Sequence, residues 1–107
     1  NILRFKWPIF LPFILPFTYR LGWMLLNGIG TEKDILQARS YFEKAALVGN
    51  SFAAYQLGKL YLGGEGILKN VPEALHWLNL SAKQKNQFAE YALDCLYLKG
   101  EDVQRMP

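Results

Sequence analysis

The sequence is poor in residues that bind metals or form covalent links, with one cysteine, Cys95, and one histidine, His76, among its 107 residues. A single cysteine cannot form an internal disulfide bond, and the two residues together cannot supply the four ligands of a structural zinc ion. The acidic pair Glu101-Asp102 offers too few oxygens for calcium, so it is interpreted as a solvated turn. These scarcities argue against a disulfide-stapled secreted domain, and we expect no metal and no cofactor.

Concentrated charge and long apolar runs are also scarce. The net charge is +3, and the densest basic cluster, Lys83-Gln84-Lys85, is weaker than the patches that bind a phosphate backbone, so nucleic acid is not expected as a partner. The apolar run at residues 7–17 is shorter than the ~20 residues that a membrane-spanning helix needs. With 51% apolar and 20% charged residues, the composition is that of a globular protein with one modest core.

Residues 1–16 form an apolar, proline-rich N-terminal segment that differs from the rest of the chain. A basic start precedes the apolar run, in which Pro8, Pro12 and Pro16 each remove a backbone donor and disfavour a regular helix. Three interpretations stay open: the remnant of a secretory signal or membrane anchor, an apolar lid over the end of a helical array, or an oddity of the gene boundary. The compartment is left open between cytoplasmic, membrane-associated and exported.

An internal repeat organises residues 17–107. When the chain is shifted by 36 places, residues of the same type coincide at many positions, which does not arise by chance. The coinciding residues include Tyr19, Tyr55 and Tyr91; Leu21, Leu57 and Leu93; Gly22 and Gly58; Gly28, Gly64 and Gly100; Ala38 and Ala74; Ala46 and Ala82; and Asn50 and Asn86. The repeat divides this region into units near 17–50 and 51–86 and a partial unit at 87–107.

Each unit is predicted to contain two helices. In the first, Ala53, Leu57 and Tyr61 recur every four residues and form one apolar side, and in the second Ala74 and Leu78 do the same. Strand-like alternation is nowhere sustained. The fold class is therefore all-α.

The joints between helices have their own sequence signals. In Asn70-Val71-Pro72-Glu73 an asparagine suits the N-cap, a proline the first turn, and a glutamate follows three residues on. Asp34 repeats this logic one unit earlier, and Gly28, Gly64 and Gly100 sit where a helix end favours a left-handed glycine. Helices are predicted near 17–27, 34–48, 51–63, 70–84 and 87–99.

The full repeat pattern resembles that of the Sel-one-like repeat family, relatives of the tetratricopeptide repeat. The resemblance rests on Ala53-x-Tyr-x-Leu-Gly-x-x-Tyr61-x-x-Gly64-x-Gly66, followed by Lys69-Asn70-x-x-Glu73-Ala74-x-x-Trp77-Leu. It covers roughly residues 17–105. It implies a right-handed α/α superhelical solenoid of antiparallel helix pairs, about two and a half repeats of 36 residues, that acts as an adaptor or scaffold.

Two positions depart from the repeat pattern. Lys85 stands where Gly49 stands one unit earlier, so a left-handed lysine is expected there, at a cost on the order of 1 kcal/mol. Asp94 stands where Gly22 and Gly58 stand, and a carboxylate is poorly tolerated against a tightly packed helix. We therefore expect no helix to cover that side of the last predicted helix.

Motifs for catalysis are lacking. Cys95 and His76 fall on helices of neighbouring units, without a third residue to orient the imidazole, so no enzyme activity and no small-molecule substrate are expected. The glycine-rich stretch 63–66 is not preceded by a strand or followed by Gly-Lys-Ser/Thr, so it is a helix–helix turn and not a phosphate loop.

A protein or peptide is instead the expected partner. Stacked repeats expose their first helices along a concave surface. The positions on these helices that vary between units and are predicted to avoid the core are Arg20, Trp23, Gln56, Lys59 and Glu90. An exposed tryptophan suits an interface anchor, and the alternative is that Trp23 packs against segment 1–16.

Other roles remain open beside a non-enzymatic scaffold. This form of the repeat is similar to arrays appended to DNA-mobilisation relaxases of Gram-positive bacteria, so the chain is alternatively the repeat tail of a larger enzyme. Membrane contact through residues 1–17 defines a third role, that of a tethered adaptor. Since three or more units usually stabilise such arrays, an isolated fragment is expected to be marginally stable or to self-associate through its uncapped ends.

Overall fold

The computed structural model describes residues 17–99, and all the regular secondary structure in that range is helical. The chain divides into two compact units, Asn1–Asn50 and Ser51–Pro107. In the first unit, α1 is helical over the described residues 17–27 and α2 is Ile35–Leu47. In the second unit, α3 is Ser51–Gly63, α4 is Val71–Lys83 and α5 is Gln87–Lys99.

The predicted helices agree with the observed ones to within one residue at each end. The predictions for α2 and α4 are longer because they counted the flanking caps. Asp34 and Val48 flank α2, and Asn70 and Gln84 flank α4, each with non-helical backbone angles. The all-α prediction is confirmed for the residues that the structure describes.

The predicted N-caps form, and Glu73 makes a separate contact within α4. The Asn70 side-chain oxygen accepts a hydrogen bond from the Glu73 backbone N–H at 3.1 Å. The Asn70 N–H donates to the Tyr61 carbonyl, and the Glu73 carboxylate accepts from the Trp77 indole N–H at 3.2 Å. Glu73 therefore anchors a largely buried tryptophan one turn further along α4 and does not close a capping box.

The first unit packs α1 against the apolar side of α2. That side is made of Ala38, Phe42, Ala45 and Ala46, all buried. Gly22 of α1 lies so close that a Cβ atom placed on it would come within 2.9 Å of the Phe42 ring. Tyr19 completes the contact, with its ring centroid 5.7 Å from that of Phe42.

In the second unit, α3 and α4 form a helical hairpin on which α5 packs. A Cβ atom on Gly58 of α3 would lie 2.5 Å from Leu78 Cγ, so the missing side chain allows the two helices to approach. Leu78 also contacts α5, where Ala89 and Leu93 are buried in the same cluster. Glycine at this register therefore allows the paired helices to pack closely in both units.

Several predictions concern residues outside the described range. These are the three interpretations of segment 1–16, the left-handed Gly100 and the turn at Glu101-Asp102. Within residues 17–99, no helix combines the length and the apolar character that crossing a membrane requires.

Candidate partner-binding surface

The first unit presents two of the predicted binding residues on one side of α1. Arg20 and Trp23 are both exposed, Trp23 with 41% of its surface accessible. Together with Tyr19 and Met24 they line a depression. An indole that is partly exposed beside a guanidinium group offers both an apolar plane and charged hydrogen-bond donors to a partner.

The second unit presents the corresponding pair on α3. Gln56 and Lys59 stand exactly one repeat after Arg20 and Trp23, and Lys59 is exposed while Gln56 is half-buried. The Lys59 ammonium lies 5.3 Å from the centroid of the Tyr55 ring. This cation–π contact orders the lysine stem along the helix while its charged end remains accessible.

Glu90 does not share the side of the helix that Gln56 and Lys59 occupy. It stands one repeat after Ala54, which is fully buried in the second unit's core. Glu90 is exposed because it lies on the outward side of α5, and Asp94, one turn further, is exposed beside it. The structure therefore groups four of the five predicted residues into two equivalent pairs and places Glu90 apart with Asp94.

Sequence reasoning missed an aromatic cluster next to Gln56. Phe52 and Phe88 are 49% and 60% exposed, and their ring centroids are 6.5 Å apart. The Tyr55 ring lies 5.8 Å from that of Phe88. We call Phe52, Tyr55 and Phe88 the aromatic patch. A signal was present, since Phe52 precedes Gln56 by four residues and Lys59 by seven, the spacing of one side of a helix.

A partly buried hydrogen-bond network holds the backbone next to this patch. The Ser81 hydroxyl donates to the Ser51 carbonyl at 2.7 Å, and the Asn86 side-chain amide donates to the Ser51 hydroxyl at 3.2 Å. The Asn86 side-chain oxygen in turn accepts from the Ala89 N–H at 3.1 Å and caps α5. Because Ser51 begins α3 and Asn86 precedes α5, the network fixes the positions from which Phe52 and Phe88 project.

The loop between α4 and α5 contains the predicted left-handed lysine. Lys85 has φ +68°, while Gly49 at the equivalent position has φ +103°. The prediction is confirmed, and Lys85 bears a backbone cost on the order of 1 kcal/mol that glycine avoids. Its exposed side chain borders a depression of about 380 Å³ that is lined by Ser51, Phe52 and residues 84–88.

The two residues weighed for catalysis lie on different helices of the second unit. His76 is exposed on α4 with its ring against Trp77, and Cys95 is half-buried on α5. Interaction with the Cys95 side chain, one turn further along α5, raises the pKa of Tyr91 above its ordinary value. No group of three or more potential metal ligands occurs among residues 17–99.

Helical hairpins in which the same residue types recur at the same register define an α-helical repeat protein. The family model of the Sel1 repeat matches residues 17–50 and again residues 51–86. The chain therefore belongs to the Sel1 repeat family. Comparison with curated protein sequences finds no match.

Two solved structures resemble the chain, each with a TM-score of 0.77 and 32% identity over 80% of this chain. One is a protective antigen present in uropathogenic Escherichia coli strains that displays an SLR fold, and the other is a Sel1 repeat protein from Oxalobacter formigenes. The match spans 18% of the first chain and 35% of the second. These similarities confirm the predicted fold class, an all-α solenoid of repeated helix pairs.

Proteins of this family are generally protein-interaction scaffolds, and the repeats themselves are typically non-enzymatic. In this chain the pairs on α1 and α3 and the aromatic patch are exposed or partly exposed beside the core.

Proposed function

We propose that this chain is a non-enzymatic module that binds a protein partner through the exposed side of its first helices. The observation that carries the proposal is the equivalence of Trp23 and Lys59. They occupy the same register in successive units, both are exposed, and neither is needed to complete its unit's buried core. Such positions are free to differ in chemistry while the fold is kept.

The chemistry of these residues suits the recognition of a protein. Tryptophan is among the residue types that contribute most to the free energy of binding at interfaces, and arginine is another. Arg20 and Gln56 supply hydrogen-bond donors at equivalent positions, Arg20 three residues before Trp23 and Gln56 four residues after Phe52. In stacked repeats the first helices line a concave surface, and we place the partner on that surface.

Peptides selected from a display library on the immobilised chain provide a ligand with which to test the proposal. Trp23→Ala and Lys59→Ala should each weaken the binding of the selected peptides by about tenfold, which corresponds to ~1.4 kcal/mol of binding free energy. The double variant should abolish binding. Fluorescence polarisation measures affinity, and circular dichroism should show unchanged helicity because both side chains lie outside the core.

Matched controls are available on the second helices. Leu36→Ala on α2 removes an apolar side chain that is 57% exposed, and Lys83→Ala on α4 removes an exposed positive charge. Both should bind the peptides as the unaltered chain does. If Trp23→Ala and Lys59→Ala lose helicity, the two residues belong to the core, and if both bind normally the surface lies elsewhere; either result rejects the proposal.

A further inference from the structure

The depression beside the aromatic patch combines exposed rings with a positive charge held on an unfavourable backbone. We propose that this depression binds an acidic peptide segment, with one apolar side chain seated on Phe52 and Phe88 and one carboxylate paired with Lys85. The inference rests on the proposed function and names the chemistry of the partner.

The apolar part of the site is rigid. Phe52 and Phe88 are the second residues of α3 and α5, and the Asn86 side chain, which caps α5, donates to the Ser51 hydroxyl at the start of α3. The two rings are tilted by 52°, and Phe52 and Phe88 are 49% and 60% exposed. Two aromatic surfaces held at a fixed distance lose little side-chain freedom when an aliphatic or aromatic side chain packs on them.

The polar part of the site selects for negative charge. The residues lining the depression that carry polar side chains are Ser51, Gln84, Lys85, Asn86 and Gln87, and none of these residues is acidic. The acidic residues of α5, Glu90 and Asp94, stand at the registers of the core residues Ala54 and Gly58, away from the register of Phe88. Among the residues that line the depression, a carboxylate therefore meets a lysine and neutral amides and no like charge.

Lys85 is informative because a glycine fits its backbone better. With φ +68° it adopts a conformation that side chains disfavour, and Gly49 has that role one unit earlier. Residues with left-handed backbone angles occur at binding sites, where their side chains make contacts that glycine cannot make. In this site the lysine supplies the positive charge at the edge of the aromatic rings.

The length of the surface favours an extended peptide. Lys59 follows Phe52 by seven residues, which is about 10 Å along a helix. Three residues of extended chain cover the same distance, at ~3.3 Å each. A peptide anchored at Phe52 and Phe88 can thus direct a second carboxylate to Lys59, whose ammonium is already ordered over Tyr55.

The test uses the full chain and fluorescently labelled peptides. The first probe has a central phenylalanine flanked by glutamates. Matched probes replace the phenylalanine with alanine or the glutamates with lysines, and a single-stranded oligonucleotide serves as a further competitor. The first probe should bind about tenfold more tightly than either matched peptide, a ratio that exposed aromatic anchors and charge pairs produce at interfaces.

Lys85→Gly separates binding from folding because its two effects have opposite directions. The substitution should raise the midpoint of thermal unfolding by about 5 °C, because the backbone strain is relieved. It should also weaken the binding of the first probe by about fivefold, because the positive charge is lost. Phe88→Ala should weaken the probe by about tenfold with unchanged helicity. Lys44→Ala, which removes one positive charge from α2, should leave affinity unchanged.

Three results would overturn the inference. They are equal binding of the glutamate and lysine probes, unchanged affinity in Lys85→Gly, and tighter binding of the oligonucleotide than of the acidic peptide. If display-selected peptides still depend on Trp23 and Lys59 in any of these cases, the proposed function stands and only this site is rejected. If no peptide depends on any of the altered residues, both are rejected.

Discussion

Single residues decide how closely the helices of each unit approach. Gly22 and Gly58 occupy the same register, and at each the space for a Cβ atom is already filled by a side chain of the paired helix, Phe42 in one unit and Leu78 in the other. Phe42 and Leu78 are fully buried, so neither can move aside into solvent. The absence of a side chain at these glycines is thus a packing requirement.

Gly58→Ala should destabilise the chain although alanine favours helix. The added methyl group would lie 2.5 Å from Leu78 Cγ, and overpacking of this kind costs roughly 1–3 kcal/mol. Urea unfolding followed by circular dichroism measures the loss. Gly63→Ala is the matched control, because nothing lies within 4 Å of a Cβ atom there. It should be neutral or stabilising by up to ~1 kcal/mol, and equal effects of the two changes would contradict the packing argument.

At the level of the helices, the start of α5 depends on a side chain that serves two elements. Asn86 caps α5 through the Ala89 N–H and also donates to Ser51 at the start of α3. Asn70 caps α4 through a single exposed bond. Asn86 is 5% exposed, so the groups it satisfies have little access to water if it is removed.

Asn86→Ala should therefore cost more stability than Asn70→Ala. The loss of an exposed cap is worth ~1 kcal/mol, and leaving a buried N–H without a partner adds roughly 1–3 kcal/mol. Chemical unfolding compares the two variants directly, and hydrogen exchange of the α5 amides locates the effect. Equal losses, or exchange that accelerates in α4 and α5 alike, would show that Asn86 acts only as an ordinary cap.

At the level of the whole molecule, the outward side of α5 differs from the corresponding side of α3. Ala54 and Gly58 pack in the core, whereas Glu90 and Asp94 at the same registers are exposed. A carboxylate is poorly tolerated against an apolar surface, so an apolar side at these positions would pair more readily with another copy. The two carboxylates oppose such pairing.

Replacing both carboxylates in Glu90→Ala/Asp94→Ala should promote self-association. The exposed side of α5 then approaches the composition of α3, while the higher helix propensity of alanine preserves the helix. Sedimentation velocity over a range of concentrations detects the larger species. The control variant Glu32→Ala/Glu43→Ala changes the net charge by the same amount in the first unit. It should keep the oligomeric state of the unaltered chain. If the control variant self-associates to the same degree, the loss of general charge repulsion causes the association, and the exposed side of α5 does not.

The repeat, the helix bounds, the caps at Asp34 and Asn70 and the left-handed Lys85 could all be predicted from the sequence. Each depends on the chemistry of residues within one turn or on the comparison of one unit with the next. A glycine or asparagine at a helix end acts through its own backbone and its nearest neighbours. The local sequence is therefore sufficient to predict where a helix begins and ends.

Tertiary packing decided two features of the molecule: which side of each helix is exposed, and which side chains contact each other. Glu90 was predicted to share a surface with Gln56 and Lys59, yet its alignment with the buried Ala54 puts it on another side of the helix, and the structure leaves that side of α5 exposed. Phe52 and Phe88 meet because hydrogen bonds join helices that begin 36 residues apart. Local propensity cannot specify such contacts, since they depend on the distance and angle between helices that each form independently of them.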